Sequence, residues 1–111
     1  MDERKRWIDF CLTFPAAYED YPFHDDNWTL MRRWDNSRTF AALFERMGHI
    51  WLNLKCAPDE ADFLRQVYPS VLPAYHMNKT HWNSVILDGT VPDEEVRSMI
   101  ARSYDLAGGK R

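Results

Sequence analysis

The sequence predicts a two-layer α+β domain, in which an antiparallel sheet carries helices on one face in the order α-β-β-β-α-β-β-α. Three stretches have the 3.6-residue apolar period of helices, and the runs between them are rich in aromatic and β-branched residues. Proline, glycine and asparagine punctuate the boundaries between these segments. A chain of 111 residues has the usual size of one domain, so residues 1–111 are predicted to fold as a single unit.

The first helix is predicted from about Asp2 to Phe14, because Trp7, Phe10 and Cys11 recur with Phe14 at helical spacing. Pro15 ends this helix. The acidic segment from Pro15 to Asn27 is predicted to be a loop.

Three strands follow as a meander. The runs Trp28–Trp34 and Arg38–Glu45 are predicted to form a hairpin, since Asp35-Asn36-Ser37 between them favours a turn. After Met47-Gly48 the third strand, His49–Leu54, alternates Ile50, Leu52 and Leu54 on one side with His49, Trp51 and Asn53 on the other.

The second helix begins at Pro58, has carboxylates in its first turn and ends at Pro69. Its predicted buried stripe consists of Ala61, Leu64, Val67 and Tyr68.

The last part of the chain is predicted to form a second hairpin and a third helix. Tyr75–Met77 and Trp82–Leu87 are predicted to be strands on either side of a polar tip, Asn78–His81. The third helix starts at Pro92, and Gly108 and Gly109 end it.

Composition excludes several broad classes of protein. A net charge of -3 and a pI near 5.7 provide no global attraction to nucleic acid or anionic membranes, so any such binding must be local. No apolar run resembles a signal peptide or a membrane span, and a cytoplasmic protein is expected. Cys11 and Cys56 stand far apart and are expected to be free, buried thiols.

Metal and catalytic sites are poorly supported. His76 and His81 lack the short paired spacing of metal ligands, even if His49 or Cys56 joined them. Cys56 and Ser84 do not lie in a recognisable nucleophile turn. We therefore expect a protein without catalytic residues, metal or cofactor.

Basic and aromatic residues instead cluster around the two predicted hairpin tips. Lysine and arginine neutralise phosphates, asparagine contacts bases, and exposed aromatic rings stack on unpaired bases. For each residue taken singly, the slightly favoured interpretation is structural: Trp34, Trp51 and Trp82 pack against helices or neighbouring strands, and the basic residues solvate the turns. The candidate nucleic-acid-binding residues are Arg32, Arg33, Arg38, Asn78, Lys79, His81 and Trp82.

Several motifs together resemble the MmcQ/YjbR family, whose members have a frataxin-like or secretion-chaperone-like α+β fold. The resemblance spans nearly the whole chain. It is carried by Tyr21-Pro22-Phe23, Leu52–Cys56, Tyr75–Asn83, Leu87-Asp88-Gly89, Pro92–Glu95 and Ser103–Leu106.

The resemblance implies a non-enzymatic bacterial protein that binds DNA through two hairpin wings, here at residues 32–38 and 78–82. The alternative is a protein-interaction or small-ligand module, with Trp51, His76, Asn78 and Trp82 lining a groove on the sheet. Iron binding, as in frataxin-like folds, would need more carboxylates on the first helix than Glu3 and Asp9. A monomer or weak dimer without a membrane partner is expected.

Overall fold

The computed structural model describes residues 3–23 and 26–108, and it confirms the two-layer α+β fold and the order of the predicted elements. The predicted ends at Asp2 and Gly109, and the loop residue Asp25, lie outside the described residues. The elements are α1 (Glu3–Cys11), β1 (Ala17–Asp20), β2 (Thr29–Arg33), β3 (Thr39–Arg46), β4 (His49–Lys55), α2 (Pro58–Val67), β5 (Val71–Pro73), β6 (Trp82–Ile86) and α3 (Asp93–Ala107).

The six strands form one open antiparallel sheet in the order β1-β2-β3-β4-β6-β5. Strand alternation sends one set of side chains, including Met31, Leu43, Leu52 and Val85, into a core shared with the helices. A register shift between Met31 and Arg32 lets Phe40 join this core, where its ring meets that of Tyr104 edge-on. The helices therefore cover one face of the sheet.

One strand lies where the sequence predicts only loop. β1, Ala17–Asp20, pairs with β2 at the edge of the sheet, so the meander has four strands instead of three. The prediction was wrong because AYED is short, carries two acids and lies between two prolines, a composition tolerated only at an edge. Its pairing with β2 supplies the stability that its own propensity lacks.

The strand predicted at Tyr75–Met77 is wrong in position. The strand preceding β6 is β5, Val71–Pro73, and residues 75–77 form turns and a bend. Pro73 argued against a strand, but it pairs at the open edge of the sheet, where its missing N–H costs no ladder bond. The connection between β5 and β6 is therefore residues 74–81.

Two helix details also differ from the prediction. α1 ends at Cys11 rather than Phe14, and turns connect it to Pro15. Val67 is 46% exposed rather than part of the buried stripe of α2, and Tyr68 lies beyond the helix and is only half-buried. The other two residues of the predicted stripe, Ala61 and Leu64, are buried as predicted.

The expected thiols are confirmed as free and buried. Burial raises the pKa of Cys11 to about 12. Burial and the charge of Glu60 raise the pKa of Cys56 to about 11. Both therefore remain protonated near neutral pH, which is the opposite of an activated cysteine nucleophile.

Candidate functional site

The face of the sheet opposite the helices carries a layer of aromatic rings. Trp28 stacks on Phe44, with 4.2 Å between ring centroids and 19° between planes. Phe44 also lies 5.6 Å from Tyr75 and 5.8 Å from Trp51. The Arg46 guanidinium lies over both Trp51 and Tyr75, at 4.9 and 4.5 Å from their centroids. Such ring and cation contacts fix the positions of these side chains.

A buried polar clamp attaches the β5–β6 connection to this face. We define it as Asn53, Ser84 and the backbone of Tyr75. The Tyr75 N–H donates to Ser84 Oγ at 2.9 Å, Asn53 Nδ2 donates to the Tyr75 carbonyl at 2.9 Å, and Ser84 Oγ donates to Asn53 Oδ1. Both side chains are fully buried, so the clamp is well protected from water.

The residue after the clamp has an uncommon backbone conformation. His76 has a φ of 64°, in the left-handed region that non-glycine residues visit at a cost of about 1 kcal/mol or more. Its ring lies 4.1 Å from that of Tyr75 and 6.4 Å from that of Trp28. The clamp therefore holds His76 above the aromatic layer in a conformation that a free chain would rarely adopt.

Between His76 and the sheet lies a pocket of about 380 Å³. Its lining is predominantly apolar, and the rings of Phe23 and Trp28 meet there nearly at right angles, 6.3 Å apart. The lining residues are Phe23, Trp28, Leu30, Thr39, Ala42, His76 and Met77.

The pocket includes only one of the four residues predicted to line a groove. His76 is in the lining, whereas Trp51 is buried within the aromatic layer, and its indole N–H donates to the Arg46 carbonyl at 3.0 Å. Asn78 accepts a hydrogen bond from the Thr80 N–H within its own turn, and Trp82 is half-buried at the start of β6. This pocket therefore differs in its lining from the predicted groove, and the groove formed by those four residues stays a prediction.

Two of the predicted nucleic-acid-binding residues are engaged in structural contacts. Arg32 forms an ion pair with Asp20 at 2.7 Å. Arg33 lies 4.1 Å above the centroid of Tyr104, donates to the Tyr104 carbonyl at 2.9 Å and pairs with Asp35 at 2.8 Å. The side chain of Arg33 is only 11% exposed.

The side chains of Arg33 and Asn36 donate hydrogen bonds to backbone carbonyls near the C-terminal end of α3. Asn36 Nδ2 donates to the Ala107 carbonyl at 2.8 Å, and a Cβ at Gly108 would come within 2.5 Å of Arg33 Nη1. The carbonyls at a helix end need such donors because they have no partner within the helix. The hydrogen bonds from Arg33 also hold the pKa of the Asp35 carboxyl below its usual value.

The remaining predicted basic residues are exposed. Arg38, Lys79 and His81 form no ion pair within the described part of the chain. The backbone of Lys79 is held in place, because its carbonyl accepts a hydrogen bond from Arg65 of α2, while its side chain is exposed. Trp34, at the first tip, is 67% exposed and stacks on Tyr18 at 3.9 Å.

The strand order places both tips at the same end of the sheet. The turn after β2 and the connection before β6 are separated by three strand spacings, about 14 Å. The connection is clamped down onto the sheet at Tyr75, so it does not project as a free wing.

Most of the pocket lining was missed by sequence reasoning. Leu30 and Ala42 read as ordinary strand residues, and Phe23 and Trp28 belong to or border the predicted loop. A signal did exist: Leu30, Ala42 and Phe44 are apolar at positions that alternate with core residues, which indicates strands covered on both faces. Because the core residues face the helices, the side chains that alternate with them must lie on the helix-free face.

Neither a metal centre nor a membrane span is found in the described part of the chain. Over residues 3–23 and 26–108, no group of three or more histidine, cysteine or acidic side chains is arranged to hold a metal ion. None of the helices in those residues is long and apolar enough to cross a bilayer.

Comparisons with known proteins agree on one family. The YjbR family model matches residues 12–106. The Escherichia coli protein YjbR is 32% identical over 100 residues, covering 90% of this chain and 82% of the relative. The Bacillus subtilis protein YyaQ is 34% identical over 98 residues, covering 78% of this chain and 82% of that protein.

Solved structures have the same fold. A Deinococcus radiodurans protein with a DUF419 domain superposes with a TM-score of 0.85 at 34% identity, covering 96% of this chain and 78% of that one. A Pseudomonas syringae protein gives a TM-score of 0.84 at 30% identity, covering 96% and 99%. Sequence, fold and relatives therefore agree that this chain belongs to the YjbR family.

Proposed function

We propose that this protein is a non-enzymatic binding domain whose ligand site is the pocket on the helix-free face of the sheet. The observation that carries the proposal is the apolar pocket of about 380 Å³ beneath His76. Its volume lies within the range of roughly 300–1,000 Å³ typical of small-molecule sites.

The pocket is held in shape before any ligand arrives. The clamp fixes Tyr75, which precedes the lining residue His76, and stacking on Phe44 fixes the lining residue Trp28. A preformed site binds more tightly because fewer side chains lose freedom on binding. The left-handed backbone at His76 fits this interpretation, since such strain is concentrated at ligand sites.

The chemistry of the lining favours binding over catalysis. His76 is the one titratable side chain among the described lining residues, and no carboxylate or thiol accompanies it there. A nucleophile needs a base beside it, and a base needs a group that orients it. An isolated imidazole on an apolar wall fits the role of a hydrogen-bonding contact.

Filling the pocket is expected to abolish ligand binding. Ala42 forms part of the lining and is fully buried, so Ala42→Leu places three additional carbons in the cavity. We expect indole, used as a neutral aromatic probe, to shift the amide resonances of Leu30, Ala42 and His76 in the unaltered protein. In Ala42→Leu the affinity for indole should fall at least about tenfold, because the added side chain occupies the volume that the indole ring needs.

Ala101→Leu is the matched control, since it adds the same atoms on α3 in the helical layer. It should leave the indole titration unchanged. Absence of saturable shifts at the pocket in the unaltered protein, or equal binding by Ala42→Leu, would contradict the proposed site.

DNA binding through the hairpin tips is the second candidate. The observation in its favour is that the two tips share one end of the sheet, about 14 Å apart, with Arg38 and Lys79 exposed on them. The engagement of Arg32 and Arg33 in structural contacts reduces the number of available cations.

If DNA binds at the tips, its affinity should be modest and strongly salt-dependent. With two or three phosphates neutralised, the log-log slope of affinity against salt should be about -2 to -3. Anisotropy of labelled duplex and single strands at low and moderate salt measures it, and Arg38→Ala with Lys79→Ala should remove most of the binding. No binding at low salt, or binding unaffected by the double variant, would rule out this candidate.

A further inference from the structure

We infer that the free edge of β1 is a docking site for an extended basic peptide, which adds to the sheet as a further antiparallel strand. This site is separate from the pocket beneath His76 and goes beyond the function proposed for that pocket. Three features of the β1 edge support it: open backbone groups, a cavity beside the strand, and a stacked pair of aromatic rings.

The outer side of β1 carries backbone groups without a partner in the described residues. The Trp34 N–H donates to the Ala16 carbonyl at 2.8 Å, so in this antiparallel ladder the even-numbered residues of β1 face β2. The backbone groups of Ala17 and Glu19 therefore point away from the sheet. The Ala17 N–H donates to the Phe14 carbonyl at 3.2 Å, which leaves the Ala17 carbonyl and both groups of Glu19 for an added strand.

The composition of β1 suits a partner of opposite charge. The other edge strand, β5, has three residues and ends at Pro73, which has no N–H to donate, whereas β1 contains no proline. Glu19 and Asp20 of β1 oppose pairing with a second copy of the strand, because like charges on neighbouring strands destabilise a sheet. A basic partner strand gains from the same acids.

A cavity of about 330 Å³ lies beside β1 on the helical side of the sheet, between this strand and α1. A residue of the added strand that is directly opposite Glu19 shares its face, so its side chain lies beside this cavity. The Glu19 carboxylate accepts a hydrogen bond from the Tyr21 hydroxyl at 2.5 Å. The lining residues are Arg4, Lys5, Ile8, Asp9, Glu19 and Tyr21.

The charges of this cavity favour a basic side chain. Both of its basic residues are engaged: Lys5 pairs with Asp9 at 2.9 Å, and Arg4 donates to the Asn27 carbonyl at 2.6 Å. Glu19 is exposed and forms no ion pair within residues 3–23 and 26–108. A lysine or arginine opposite Glu19 supplies the cation that this carboxylate lacks.

The helix-free side of the same edge presents aromatic rings. Tyr18 alternates with Glu19 and stacks on the exposed Trp34, with 19° between the ring planes. An aromatic residue of the added strand beside Tyr18 extends this stack, since aromatic pairs on neighbouring strands stabilise a sheet. A peptide that alternates basic and aromatic residues therefore complements both sides of the β1 edge.

Two peptides of equal length test the inference. In acetyl-TKYKYKT-amide the lysines lie on one face of an extended strand and the tyrosines on the other, and acetyl-TEYEYET-amide reverses the charge. We expect the basic peptide to cause saturable shifts of the Ala17 and Glu19 amide resonances. The acidic peptide should bind at least about fivefold more weakly.

N-methylation of the basic peptide tests whether the backbone is recognised. Lysines opposite Ala17 and Glu19 direct their N–H groups at β1, whereas the tyrosine N–H groups point away from it. Methylation of the three lysine nitrogens should therefore weaken binding at least about tenfold, and methylation of the two tyrosine nitrogens should weaken it less than about threefold.

Substitutions in the protein separate this edge from other surfaces. Glu19→Gln should weaken the basic peptide by about twofold to fivefold, as expected for an exposed ion pair. Glu45→Gln, which neutralises an exposed acid on the interior strand β3, should leave its affinity unchanged. Ala42→Leu fills the pocket and should also leave it unchanged.

Absence of shifts at β1, equal affinity for the two charges, or equal binding after either methylation would overturn the inference without bearing on indole binding in the pocket. Shifts confined to Leu30, Ala42 and His76 would place the peptide in the pocket and also overturn it. Shifts at Glu19 that depend on protein concentration alone, with a dimer in analytical ultracentrifugation, would assign the edge to a second copy of this chain instead.

Discussion

Replacing Asn53 with alanine is expected to lower the free energy of unfolding by about 2–4 kcal/mol, because both a buried side chain and its hydrogen bonds are lost. Asn53 is fully buried and connects Ser84 to the Tyr75 carbonyl. Its loss leaves that carbonyl and the Ser84 hydroxyl with one partner fewer. Urea unfolding followed by tryptophan fluorescence measures the stability.

The same change should also loosen the wall of the pocket. Hydrogen exchange of the Tyr75 amide, which donates to Ser84 Oγ, should speed up by more than the global loss of stability explains. Asn78→Ala is the matched control, since that side chain is exposed and bonds only within its own turn. We expect it to change stability by less than about 0.5 kcal/mol. Equal effects of the two substitutions would show that the clamp contributes nothing.

Replacing Arg33 with alanine is expected to lower stability by about 2 kcal/mol, through loss of the cation–π contact and of the bond to the last turn of α3. The exposed Arg38, five residues after Arg33, provides the comparison. Arg38→Ala should change stability by less than about 0.5 kcal/mol. Thermal unfolding by circular dichroism measures both variants.

Asp35→Asn separates the ion pair from the other contacts of Arg33. Asp35 is about half exposed, so its neutralisation should retain most of the stability that Arg33→Ala removes. Because the folded pKa of Asp35 is lowered, the stability from this pair is present above the unfolded pKa and is lost as pH falls through the folded value. If Arg33→Ala left stability unchanged and only weakened DNA binding, Arg33 would be a DNA contact and our structural interpretation would be wrong.

The fold was predictable because its main elements have strong local patterns. The helical period around Leu64 and Ile100, and the turn residues between β2 and β3, define their elements without tertiary information. β1 was not predictable, since its pairing with β2 comes from the sheet rather than from its own four residues. The strand at Val71–Pro73 was not predictable for a similar reason, because only the sheet order shows that β5 is an edge strand, where a proline is tolerated.

The candidate site was predicted only in part, for a similar reason. The sequence predicted His76 in a groove on the sheet without specifying the face, and the pocket brings together residues from four separate segments. Thr39 has no sequence signal of its own, and the apolar alternation at Leu30 and Ala42 indicates a covered second face of the sheet but not a pocket. The charge of Arg33 predicts a nucleic-acid contact, whereas its side chain lies against Tyr104 and is only 11% exposed, which the sequence does not indicate.

The central claim is that the pocket beneath His76 binds ligands, and an indole titration of the unaltered protein and Ala42→Leu tests it most directly. We expect saturable amide shifts at Leu30, Ala42 and His76 in the unaltered protein and their loss in Ala42→Leu. Shifts confined to the tips at Arg38 and Lys79, or shifts that persist in Ala42→Leu, would contradict the account.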